Sequence, residues 1–334
     1  MNRYISVVLV YIAMAYKVYW LNKASTRKLI EEINDHLKLR GVILNQDQTE
    51  RIRTYTTLIT ITNSWFAALR GHKLTRRERT FSLYAGALTS FFDDLTDSSG
   101  LKSDAILHEL NSPDPGSGKN MLVTRYLYDQ VKKNCSEEFL DCYKKAAVSQ
   151  DASLHQLGES TISDDELRTI IYSKGVTCTL LWRKALDNPL IDGEEAAICS
   201  LGVLLQLTND MFDVYKDYEN KQQTLYTNSK DLANNYDEYK ALYAKMNTQF
   251  VNLGYEKKSI NKFLLEISVV VGRGMVCSEQ LMRCQRSRDN QFNLEGLPRK
   301  ELICDMEKIT NIVKSVKNSV LCYKQIALLP IGSR

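Results

Sequence analysis

Two groups of acidic side chains stand at helical spacing. Asp93 and Asp97 are four residues apart, and so are Asn209 and Asp213, and Asp213 and Asp217. Residues four apart on an α-helix project one above the other, so each group forms a row of oxygen donors. Neither row has a His or Cys within a turn of it. Donor sets made only of oxygen suit a hard cation, Mg²⁺ before Ca²⁺. Bound Mg²⁺ keeps several waters and shares its shell with phosphate oxygens, so the chemistry to expect is metal-assisted binding of a diphosphate.

The elements that carry these rows are themselves unusual. From Phe81 to Asp97, residues Phe81, Tyr84, Ala85, Leu88, Phe91, Phe92 and Leu95 make the apolar face of a helix. Beside it run Ser82, Gly86, Ser90, Asp93 and Asp97. The acids fall at the C-terminal end, where the helix dipole disfavours negative charge, so a cation must compensate them. From Leu201 to Asp217 the chain is apolar nearly all round, which predicts a buried helix. Gly202, Gln206, Asn209, Asp213 and Asp217 nevertheless form one polar stripe on it. Two like charges 4 Å apart repel by about 4 kcal/mol at an effective dielectric near 20. Such a stripe inside a buried helix demands pairing or a metal.

Two lysines could serve an anionic substrate. Lys216 precedes the last acid of the second row, and Lys174 interrupts a mainly apolar helical segment, where a buried ammonium needs an anionic partner. Phe91, Phe92, Tyr84, Phe212 and Tyr215 flank the acids and offer π faces to positive charge, though their spacing suits core packing at least as well. Gln150, Ser153 and Gln156 share one face of another helix and are candidates for a pocket floor.

Composition agrees with a helical protein. The chain has 334 residues with only 5 prolines and 15 glycines, which disfavours turn-rich β architectures. Helical patterning is predicted near 4–20, 24–40, 46–70, 75–95, 102–110, 120–133, 136–157, 163–187, 193–219, 230–253, 257–287 and 299–324. Ser163 and Glu166 make a capping box before the eighth of these. No repeat or long linker divides the chain, so one all-α domain over residues 1–334 is expected. A net charge of +4, from 44 basic and 40 acidic residues, excludes nucleic acid as a partner suggested by charge. Eight cysteines without a Cys-x-x-Cys pair read as reduced, mostly buried thiols of a cytoplasmic protein. From Ile5 to Tyr16 the chain is uncharged and mostly apolar, yet shorter than the roughly 20 residues of a spanning helix. It is either a helix packed on the domain or one that touches a membrane surface, where an oily substrate would partition.

At these residues a resemblance enters. Phe92-Asp-Asp-Leu-Thr-Asp97 resembles the aspartate-rich motif of the class I isoprenoid synthases, and Asn209-Asp-Met-Phe-Asp-Val-Tyr-Lys-Asp217 resembles their downstream metal motif. The resemblance covers roughly residues 50 to 290. Gln206-Leu-Thr-Asn209 and the Asp-x-x-x-Asp spacings are similar to the squalene/phytoene synthase branch. Asp93 to Ser99, with Gln150 to Gln156 and Lys174-Gly175, looks more like the bacterial terpene synthases related to that branch. The usual cyclase has Ser or Thr as the middle downstream ligand and Glu as the last, where this chain has Asp213 and Asp217. The late Arg-Tyr pair is also absent, and Arg283, Arg286 and Arg288 are its nearest substitutes.

The resemblance implies a single helical bundle with a central apolar pocket and both motifs facing it. It implies Mg²⁺, in a set of three, held by Asp93, Asp97, Asn209, Asp213 and Asp217. Lys174, Lys216, Gln206 and Arg288 would bind the substrate. The implied activity is that of a terpene synthase, a lyase that ionises an allylic prenyl diphosphate and gives a cyclic or linear terpene. The alternative is a prenyltransferase that couples two prenyl diphosphates; a non-catalytic helical partner subunit is a third reading. A homodimer is left open.

Overall fold

The computed structural model describes residues 3–113, 118–158, 162–287 and 292–326, with the side chains of Tyr19, Leu21, Asp97, Ser98 and Ser99 outside that description. Among the described residues the chain forms thirteen α-helices and no β-strand. In order these are α1 (Arg3–Tyr16), α2 (Lys23–Leu37), α3 (Gln46–Leu69), α4 (Arg76–Ser99), α5 (Ser103–Asn111), α6 (Lys119–Lys132) and α7 (Glu137–Ser153). There follow α8 (Asp164–Lys184), α9 (Glu194–Glu219), α10 (Leu232–Val251), α11 (Lys257–Arg286), α12 (Arg299–Leu302) and α13 (Ile309–Ile326). No described helix is long and apolar enough to cross a membrane.

The chain divides into two compact units: residues 13–151 with 180–189, and residues 1–12 with 152–179 and 190–334. In the first, α4 packs on α3 and α6. Leu83, Leu88, Phe91 and Phe92 of α4 join Leu122, Tyr126, Phe139 and Tyr143 in its core. Phe92 meets Tyr143 edge-on at 5.6 Å between centroids, and Phe81 meets Phe139 at 4.9 Å. A reciprocal cap starts α4: the Glu78 amide donates to Thr75 Oγ1 at 3.1 Å, and the Thr75 amide donates to the Glu78 carboxylate at 2.8 Å. Gly100 ends it at φ +63°, a left-handed conformation open to glycine at no steric cost. This stop leaves the Asp93 row in the last two turns, as the sequence predicts.

In the second unit α9 lies against α10 and α11, and α11 carries α13. Ile198, Leu201, Leu204, Leu207, Met211 and Val214 of α9 are all buried. The predicted apolar helix is therefore a core helix. Its crossing with α8 is set by two glycines. A Cβ on Gly202 would stand 2.5 Å from the Gly175 carbonyl oxygen, and a Cβ on Gly175 would stand 2.8 Å from Gln206 Cβ. Backbone meets backbone there, and Lys174 is brought beside the polar stripe of α9.

Most helix limits fall within a few residues of their predicted places. The span predicted near 299–324 is instead broken between Leu302 and Ile309. The break is stabilised from outside the backbone ladder. Gln280 Nε2 donates to the carbonyls of Glu301 and Ile303 at 2.8 and 3.0 Å, and Asn311 Nδ2 donates to that of Asp305 at 2.8 Å. At the start of α8 the Glu166 amide donates to Ser163 Oγ at 3.3 Å, one arm of the predicted box. All eight cysteines are free, four of them buried and four half-buried.

Candidate functional site

Within α9 the stripe is graded from water to core. Asn209 is exposed, Gln206 and Asp213 are half-buried, and Asp217 is buried with 5% of its surface exposed. Asn209 Nδ2 donates to Asp213 Oδ2 at 3.2 Å, which joins two of the predicted donors directly. The structure adds an acid that sequence reasoning passed over. Asp210 is 3% exposed, accepts a 2.8 Å hydrogen bond from Gln206 Nε2 on Oδ1, and has no hydrogen-bond partner on Oδ2.

Burial of these carboxylates disturbs their acidity. Burial pushes Asp210 up from the ordinary 3.8 to about 7, with a further push from Asp213; the Gln206 hydrogen bond and the Lys174 charge pull the other way. Asp217 is also raised to about 7, first by burial and then by Asp210 and Asp213, against the pull of Lys216 and Lys174. The lysines moderate the cost without cancelling it. Lys174 on α8 is half-buried and Lys216 is exposed. Both lysines, expected from the sequence to serve an anionic substrate, lie close enough to act electrostatically on these acids, and Gln206 serves as a hydrogen-bond donor to Asp210.

The donor chemistry suits a hard divalent cation, since the stripe of α9 offers only oxygen donors, from the carboxylates and from the amides of Gln206 and Asn209. Buried carboxylates with mutual repulsion and an orphaned oxygen are the state a bound cation would relieve. Among the described residues, however, no three His, Cys, Asp or Glu side chains are grouped so that they could hold a metal ion together. The α9 acids run along a helix wall, an open arrangement that leaves coordination positions for water or substrate.

The α4 row belongs to the other unit and is satisfied differently. Asp93 is half-buried and accepts a 2.5 Å hydrogen bond from the Tyr55 hydroxyl. Asp94 pairs with Arg51 at 2.9 Å, and the same guanidinium donates to the Ser90 carbonyl at 3.2 Å. Arg51 on α3 thus brings a cation to the end of α4, at Asp94 and not at the predicted row of Asp93 and Asp97. Asp97 lies in the last turn of α4 with its side chain outside the described set, and Arg288 lies outside the described residues.

The aromatic candidates separate by place. Phe91 and Phe92 are core, and the Tyr84 hydroxyl donates to Glu32 at 2.5 Å. Phe212 and Tyr215 are half-buried beside Asp213, and the Tyr215 face already receives the Arg299 guanidinium at 5.6 Å. Gln156 donates to the Gln223 carbonyl at 2.7 Å, which makes it a loop tie. A surface hollow of about 540 Å³ lies along α5, lined by Asp104, Leu107, His108, Asn111, Ser112 and Pro113. None of the predicted site residues lines it.

No family model matches the chain, and no match exists among curated proteins or solved structures.

Proposed function

We propose that the chain is an Mg²⁺-dependent enzyme of the terpene synthase type, acting on an allylic prenyl diphosphate. The observation that carries this reading is the α9 wall: Asn209, Asp213 and Asp217 in one row, with Asp210 and Asp217 held near pKa 7 inside an otherwise apolar helix. A protein that needed only a core helix would place no such acids there, because each costs stability unless something cationic joins it.

In this reading Asn209, Asp213 and Asp217 hold Mg²⁺. Asp93 and Asp97 enter as the second acidic motif through the resemblance. When bound, Mg²⁺ would supply Lewis acidity toward the leaving diphosphate oxygens. Lys174 and Lys216 contribute positive charge toward the same anion. Gln206 fixes the Asp210 carboxylate by its hydrogen bond. The apolar residues at the buried edge of the stripe keep water from Asp210 and Asp217, which strengthens the charge interactions of those two. Phe212 is the aromatic face left beside Asp213 once Tyr215 is engaged by Arg299.

Incubation of the purified chain with Mg²⁺ and C10 to C25 prenyl diphosphates, singly and in pairs, followed by mass spectrometry, tests the proposal. A terpene hydrocarbon or alcohol from one substrate is the expected product. A product with the mass of two joined chains would reassign the chain to the coupling transferases. Unchanged substrate in every tube would remove the enzymatic reading.

A further inference from the structure

We propose that α1, with the adjoining face of α13, docks on an anionic lipid surface. Residues 3–12 of α1 and the whole of α13 belong to one unit and touch each other there. Val7 is fully buried, and the Tyr11 hydroxyl hydrogen-bonds Ser315 and lies 3.4 Å from Ser319 Oγ on α13. The side of α1 turned away from this contact is apolar along its length: Tyr4, Ile5, Val8, Leu9 and Ile12 are exposed, Leu9 by 51% and Ile12 by 61%. On α13, Ile309 is 78% exposed, and Ile312 and Val313 are exposed with it. Scattered apolar side chains on a surface need no explanation, but a contiguous stripe on a helix without charge from Tyr4 to Tyr16 does.

Charge selects the occupant. Residues 3–12 and 307–326 carry Arg3, Lys308, Lys314, Lys317 and Lys324 against one acid, Glu307. All five cations are exposed, as is Glu307. The remainder of the chain has 39 basic against 39 acidic residues, so these terminal segments hold the whole excess of positive charge. A second copy would bring the same five cations against themselves, because a two-fold interface pairs a patch with its own image. An anionic bilayer offers what both features need: headgroup charge for the lysines and an acyl boundary for the stripe. The helix is too short to cross, so it lies in the plane of the surface.

This inference is independent of the diphosphate reading, and so is its test. The full chain is sedimented with phosphatidylcholine vesicles, with and without about a third phosphatidylglycerol. Binding to the anionic vesicles, weakened by added salt, is the expected result. Leu9→Ser with Ile12→Ser should weaken it by about tenfold per side chain. Lys308→Gln, Lys314→Gln and Lys317→Gln together should cost about fivefold each and abolish the preference for the anionic lipid. All these side chains are exposed, so far-UV circular dichroism should match that of the parent. The proposal fails if the chain stays in the supernatant with anionic vesicles, or if the serine variant sediments as the parent does. It fails equally if the parent is a dimer that the serine variant disperses while vesicles bind neither, which would assign the face to a second copy.

Discussion

Asp213→Asn is expected to lower diphosphate release by about a hundredfold or more, the scale seen when one electrostatic stabiliser of a developing anion is removed. Asn has the shape of Asp and keeps an oxygen for the Asn209 amide, so the local hydrogen bond survives and only the charge goes. The same change should make the fold more stable above neutral pH, since Asp213 helps to raise both Asp210 and Asp217. Falling activity with rising stability is the signature of charge kept for function. A steady-state diphosphate assay paired with thermal melts reads both. Activity within about threefold of the parent would show that Asp213 does not hold the cation.

The second large effect concerns pH in the presence of a chelator. Asp210 titrates near 3.8 when unfolded and about 7 when folded. Between those values the folded chain binds more protons than the unfolded one, so stability falls as pH rises through that window and levels off above it. The sign is opposite to that of a salt-bridged carboxylate. One such group corresponds to roughly 4 kcal/mol lost between pH 4 and 8. Asp217 shares the window, and the two are coupled, so their effects do not simply add. Asp210→Asn should therefore stabilise the fold at pH 8 by up to roughly 4 kcal/mol and flatten the pH dependence. Urea unfolding at pH 5.5 and pH 8 measures this. An Asp210→Asn variant no more stable than the parent at pH 8 would mean that the buried carboxylate is already compensated within the fold.

Much of the fold was legible because its signals are local. Apolar periodicity marked α4 and α9, and the Ser163/Glu166 pair marked the start of α8. The break before α13 was not legible, because Gln280 of α11 supplies two of the hydrogen bonds that stabilise it, and a partner so distant in sequence leaves no local pattern. The same applies to Arg51. Sequence reasoning required a cation at the end of α4, but nothing in the spacing says that α3 provides it.

The sequence marked a polar stripe on α9 and passed over Asp210 beside it. A stripe through residues 202, 206, 209, 213 and 217 satisfies helical periodicity, and so does one through 206, 210, 213 and 217. Asn209 lies at the wet edge of the two and Asp210 at the buried edge. The i, i+4 spacing of Gln206 and Asp210 was the available signal for the second. Choosing between the stripes needs the position of α8, which the Gly175–Gly202 approach fixes and which a single helix does not encode.

The most direct measurement is the thermal midpoint of the chain at pH 8 with Mg²⁺, with inorganic pyrophosphate, and with both. It needs no knowledge of prenyl chain length. A ligand bound only by the folded state at a hundred times its Kd stabilises by about 2.7 kcal/mol, a shift of several degrees. The account predicts that shift for Mg²⁺ and pyrophosphate together, a smaller one for Mg²⁺ alone, and neither in Asp213→Asn. An unmoved midpoint in the parent chain, or an equal shift in the variant, would contradict it.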